Sequence, residues 1–173
     1  MRFIQSRCVP KSGQTVSYAD GDDGFHQAGW WKGRTVANNK DRFVSKTLLT
    51  DDVVIDRATG LMWAADGDEK GCNWGGTTVW SMAILFANAL NFAGFTDWRL
   101  PNIIELFSIM SFQHKNPCID LVFFPNTPVN PQHSSSTVYN ATDYSLIMDL
   151  ELPQIYKGAK TLSTPLRCVR GGI

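Results

Sequence analysis

The sequence carries no surplus of charge: sixteen Lys and Arg balance sixteen Asp and Glu. A protein that neutralises phosphates ordinarily shows a basic excess, so no nucleic-acid partner is expected. No apolar run approaches the ~20 residues that cross a bilayer as a helix, and no membrane insertion is expected. The opening Met1-Arg2-Phe3-Ile4-Gln5-Ser6 lacks the apolar stretch of a secretion leader. Catalytic signatures are missing as well: there is no H-E-x-x-H, Walker loop, G-x-G-x-x-G or G-x-S-x-G. Histidine is scarce, at positions 26, 114 and 133. His133 stands beside Ser134, but the fold assembles a triad from separated positions rather than from neighbours. These absences point away from an enzyme.

What is present describes an ordinary globular chain. Of 173 residues, 43% are hydrophobic and 18% charged, which fits one domain with a sizeable core. Six Trp, ten Phe and four Tyr supply large core anchors. Cys8, Cys72, Cys118 and Cys168 are dispersed without a C-x-x-C, so metal-ligand and redox spacings are absent. An even, dispersed set fits two long-range disulfides in an oxidising compartment, with three connectivities open; buried free thiols are the alternative.

The single domain, 1–173, divides into a loop-rich segment, 9–50, and a core, 51–172. Asp20, Asp22 and Asp23 lie in the loop-rich part and read as turn residues, since the rest of a calcium loop is missing. Val53-Val54-Ile55 and Leu61-Met62-Trp63 flank Thr59-Gly60 and predict a hairpin. Asp66, Asp68 and Glu69, near Gly67 and Gly71, are weak candidates for a calcium ion. A solvated acidic turn is the stronger reading, and no cofactor is expected.

Trp80, Ala83, Ile84 and Ala87 recur at helical spacing and predict a well-buried helix over 80–91, with Thr77 or Thr78 as cap and Gly94 as stop. Asn102 with Glu105 three residues on predicts a capping box opening a second helix. That role explains Glu105 without catalysis. Residues 111–143, rich in Pro, Asn and Ser, predict a long irregular region. Tyr144, Leu146, Met148 and Leu150 alternate as the inner face of a strand, and Leu166–Arg170 form a last one. Arg99, Arg167 and Arg170 read as structural residues rather than contacts to an anionic ligand, with Arg99 and Arg167 expected to pair with Asp97 or backbone carbonyls.

Three blocks stand in fixed order: Thr59-Gly60-Leu61-Met62-Trp63, then Asp97-Trp98-Arg99-Leu100-Pro101-Asn102 with Glu105-Leu106, then Leu166-Arg167-Cys168-Val169-Arg170-Gly171-Gly172. On these the chain, from about 12 to 172, resembles the domain that ends Legionella collagen-like adhesins. The resemblance implies an α+β, C-type-lectin-like fold, two helices packed on small antiparallel sheets with long loops. It implies an exported protein, extracellular, at the cell surface or periplasmic, so that a removed leader would reconcile it with the N-terminus. Members often bridge a cysteine of the first helix to the terminal R-C-V-R cysteine. Here Ala87 takes the helix position, which leaves Cys72 as the implied partner of Cys168 and Cys8 for Cys118.

The function implied is non-catalytic binding or adhesion, on a glycan or a protein surface. The E-P-N and W-N-D signatures of calcium-dependent sugar binding are absent. Candidate contacts are His133, Tyr139, Asn140, Asp143 and Tyr144, polar or aromatic residues near the exit of the long loop, and the tandem Trp30 and Trp31. Two alternatives are an assembly module of a larger surface protein and an enzyme of the formylglycine-generating type. The latter needs a reactive cysteine pair near the C-terminal end, where only Cys168 lies.

Overall fold

The computed structural model describes residue 10 and residues 12–26 and 42–172. Cys8, Trp30 and Trp31 lie outside the described residues. The elements run α1 (Asp23–His26), β1 (Phe43–Leu48), β2 (Asp51–Asp56), β3 (Leu61–Ala64), a 3-10 turn at Lys70–Gly75, α2 (Trp80–Ala89), α3 (Ile103–Ser108), β4 (Gln132–Val138), β5 (Ala141–Asp149), β6 (Gln154–Ala159) and β7 (Val169–Arg170). They form a mixed α/β structure with two small antiparallel sheets, ordered β1-β2-β3-β7 and β4-β5-β6.

The predicted β2–β3 hairpin forms the middle of the first sheet, and its register divides the core. Val53 opposes Ala64 on one face, and Val54 opposes Trp63 on the other. Because side chains alternate across a strand, each pair faces a different layer. Val54 and Trp63 join Leu106, Ile109, Phe124, Met148 and Leu150 in the core shared with α3 and β5. Val53 and Ala64 join Ala83, Ala87, Phe92, Trp98 and Cys168 in the core shared with α2. Burying each large apolar side chain contributes roughly 1.5–3 kcal/mol, so these two layers carry the fold.

The three sequence blocks meet here. β7 pairs with β3, Trp63 opposite Val169, and Arg99 bridges Val169 on its other side. Trp98 is buried and donates its Nε1–H to the Phe92 carbonyl at 2.9 Å. Asn102 and Glu105 form the predicted capping box, with the Asn102 side chain accepting from the Ile104 and Glu105 amides. Arg167 is fully buried and donates to the carbonyls of Ala64 and Ala65 and to Thr127 Oγ1. Arg170, not Arg99, takes Asp97, through two hydrogen bonds of 2.7 and 3.1 Å.

Several expectations are corrected. α2 is not well buried: Ala83 and Ala87 face the core, but Leu85 is 60% and Met82 53% exposed. Its N-cap is Val79 without a side-chain bond, because Thr78 is engaged in a backbone bridge to Thr164. The helix stops at Ala89, and Gly94 serves the following turn, where Phe92 and Phe95 bridge. The irregular region ends at 131, and Ser134-Ser135-Ser136-Thr137 lie within β4. Tertiary hydrogen bonds override the weak strand preference of serine: Ser134 Oγ donates to the Leu146 carbonyl, the Ser135 amide to that of Pro101, and Ser136 Oγ accepts from the Ile103 amide. In β5 the alternation has the opposite phase at its start, with Ser145 and Ile147 buried and Tyr144 exposed; from Ile147 on, both faces are covered.

The implied disulfides are absent among the described residues. Cys72, Cys118 and Cys168 are free, buried thiols. Cys72 and Cys168 pack as small apolar groups in the α2-side core, where Ala87 occupies the helix position. The chain closes two apolar layers without cross-links at these positions.

Candidate functional site

The β4–β5 hairpin places most of the predicted contacts together. Val138 pairs with Ala141, so Tyr139 and Asn140 form its two-residue tip. Asn140 takes a left-handed backbone (φ 60°), the conformation that such a tight turn demands and that Asn tolerates. Tyr139 is thereby thrust into solvent, 90% exposed. Asp143 and Tyr144 follow on the exposed start of β5. The Asp143 carbonyl accepts from the Lys160 amide at 2.8 Å.

Three residues that the sequence reading missed complete this end of the sheet. The Lys157 ammonium lies over the Tyr144 ring, 5.2 Å from its centroid, and Lys160 over the Trp80 ring at 3.8 Å. Lys160 also donates to Thr137 Oγ1 at 2.9 Å, and Trp80 is fixed by its Nε1–H to the Ser134 carbonyl at 2.9 Å. Each cation–π pair contributes roughly 0.5–1 kcal/mol at an exposed site and holds an otherwise mobile lysine in place. The signal for Lys157 was the run Gln154-Ile155-Tyr156-Lys157, a short strand pattern beside a Gly. Nothing in the sequence paired Lys160 with Trp80. Aromatic surface and fixed ammonium groups together can stack on a ring and hydrogen-bond to hydroxyl or acidic groups, which is binding chemistry.

His133 does not belong to this group. It is fully buried near the other end of β4, opposite Ile147, and its Nε2 lies 2.8 Å from the Thr78 carbonyl. Burial lowers its pKa below the usual histidine value. Its Nδ1 has no hydrogen-bond partner among the described residues.

In the acidic loop, the Asp66 and Glu69 side chains are spent on local structure. Both Asp66 oxygens accept from Asn126 Nδ2, at 3.0 and 3.1 Å, and one also accepts the Asp68 amide. Glu69 turns instead to the Asp52 amide, and burial raises its pKa. Among the described residues, no three His, Cys, Asp or Glu side chains are gathered as a metal ion requires. Asp22 is a turn residue: amides of Tyr18 and Phe25 hold its carboxyl down to about 2. The thiols are shielded, with burial pushing Cys72 up to about 11 and raising Cys118 and Cys168.

Two grooves lie elsewhere. One of about 300 Å³ runs between β1 and the 122–125 loop, and one of about 270 Å³ lies between Phe43, Met110 and His114. Neither is lined by a predicted contact residue. No helix among the described residues is long and apolar enough to cross a membrane.

The blocks that organise the fold also identify the chain. Residues 52–170 match the model of the Lcl C-terminal domain, from β2 through β7. No curated protein matches the chain. With well over half of its length matched, the chain belongs to the Lcl C-terminal domain family, the C-terminal domain of Legionella collagen-like proteins.

Proposed function

We propose that this chain is an exported, non-catalytic adhesion module of C-type-lectin-like fold that binds a surface glycan at the tip of its β4–β5 hairpin. The observation that carries the reading is the platform itself: Tyr139 raised almost wholly into solvent, with Tyr144, Lys157, Lys160 and Trp80 ordered behind it. Membership of a surface-associated family supports the location, at the cell surface, outside the cell or in the periplasm. Burial that raises all three described thiols supports a non-catalytic role, because a cysteine nucleophile acts as thiolate.

The test is an array of neutral glycans and sulfated polysaccharides, probed in calcium and again with chelator. Binding retained in chelator supports a metal-free glycan site. Loss with chelator would replace it with a calcium-dependent one. Absence of any binding would turn the reading to a protein surface as ligand.

A second reading, an assembly module of a larger surface protein, is favoured by one observation. β6 is an edge strand, with Ile155 and Tyr156 exposed on it and Leu152 exposed in the turn before it. Unpaired edges invite pairing with another chain. Concentration-dependent self-association in light scattering would support that reading, and a monomer at all concentrations would remove it.

A further inference from the structure

The 3-10 turn before α2 contains a second exposed aromatic in an unusual setting. Asn73 (φ 55°, ψ 36°) and Trp74 (φ 50°, ψ 41°) both take left-handed backbone, and Gly75 (φ 69°) follows in the same region. Each left-handed non-glycine residue costs roughly 1–2 kcal/mol. This strain does not serve burial, because Trp74 is 66% exposed. Among the described residues its ring neighbour is Phe86 of α2, at 6.4 Å between centroids with planes 67° apart, an edge-to-face contact that leaves the residue largely exposed.

Polar groups flank the turn that carries the indole. Asp68 Oδ1 comes within 2.9 Å of where a Cβ at Gly75 would stand, and Asn73 Nδ2 within 3.3 Å of where one at Gly76 would stand. The glycine pair is what lets the carboxylate and the amide approach this turn. Among the described residues neither the Asp68 carboxylate nor the Asn73 amide group has a hydrogen-bond partner, while neighbouring Asp66 is fully engaged with Asn126.

An exposed indole on a turn that also gathers an uncommitted carboxylate and an uncommitted amide is chemistry suited to a sugar ring. The apolar C–H face of a pyranose stacks on the aromatic surface, and adjacent hydroxyls donate to the carboxylate and accept from the amide. Asp66 and Asp68 disfavour a sulfated or uronic sugar at this place. We infer that Trp74, Asp68 and Asn73 form a subsite for an uncharged hexose unit, carried on a different element from the hairpin tip. The inference rests on the glycan reading above for the class of ligand.

The experiment titrates the whole chain with cellotetraose, maltotetraose and N-acetylchitotetraose, followed by calorimetry and tryptophan emission. At least one is expected to bind, with affinity about tenfold weaker or more in Trp74→Ala, weakened in Asp68→Asn, and retained in part by Trp74→Phe. Thermal melts confirm that the variants fold, and Val122→Ala, an exposed position outside both sites, is expected to leave this binding unchanged. Failure of all three oligosaccharides to bind, or undiminished binding by Trp74→Ala, overturns the subsite. Binding lost in the Tyr139/Tyr144 variant and kept in Trp74→Ala overturns it while leaving the hairpin-tip reading standing.

Discussion

Arg99 clasps Glu105 through two hydrogen bonds, of 2.7 and 2.6 Å, while the same guanidinium reaches the Gly171 carbonyl at 2.9 Å. Glu105 also closes the capping box by accepting the Asn102 amide at 2.9 Å. Through Arg99, one carboxylate thus joins the start of α3, the segment before it and the 171 backbone near the end of the chain. The Arg–Glu pair lowers the Glu105 pKa against the opposing effect of its burial.

Glu105→Ala is expected to destabilise the chain by ~1–3 kcal/mol, combining a lost cap with a half-buried arginine left unpaired, discounted for partial solvent screening. Urea unfolding measures it as a lower midpoint at unchanged slope. A change under about 0.5 kcal/mol, the scale of an ordinary surface substitution, contradicts the clasp.

His133 predicts a pH dependence. Its folded pKa is lowered by burial, so below the unfolded value of 6.5 the unfolded chain binds a proton that the folded chain resists. Its stabilising contribution is present above pH 6.5 and is lost as pH falls from there through the folded pKa. Protonation would place a hydrogen on Nδ1, which has no acceptor among the described residues. Urea midpoints measured between pH 7.5 and 5 should fall in the native chain and flatten in His133→Gln. Equal slopes in the two would contradict this origin.

The thiols give a third test. In a Cys8→Ser background, Cys72, Cys118 and Cys168 should react with a thiol-specific disulfide reagent only slowly at pH 8 and rapidly in denaturant, because all three are buried. Three rapidly reacting thiols in the native chain would contradict the packing, and fewer than three in denaturant would reveal a bridge.

The elements legible in the sequence are those set by local rules. The β2–β3 hairpin follows from its turn, and α3 from the Asn102–Glu105 spacing. β4 was not legible, since its serines are held by carbonyls and amides of Leu146, Pro101 and Ile103, none of them local. The phase of β5 was hidden because alternation identifies a face only where one side meets water, and β5 is covered on both sides beyond Ile147. Tyr139, Asn140, Asp143 and Tyr144, proposed from their residue types and place in the chain, lie together on one hairpin. Lys160 was not, because its stacking on Trp80 joins positions that only the fold brings together. His133 misled because a histidine beside serines looks polar and available, while the structure buries it against Thr78.

The central claim is that the hairpin tip binds a glycan. The most direct measurement compares the native chain with Tyr139→Ala/Tyr144→Ala on the same array of neutral glycans and sulfated polysaccharides. Both side chains are exposed and the Lys157–Tyr144 contact is the main one lost, so stability should stay within about 1 kcal/mol of native. The native chain is expected to bind specific glycans, and the folded variant to lose about tenfold or more in affinity. Undiminished binding by the variant, or none by the native chain, contradicts it.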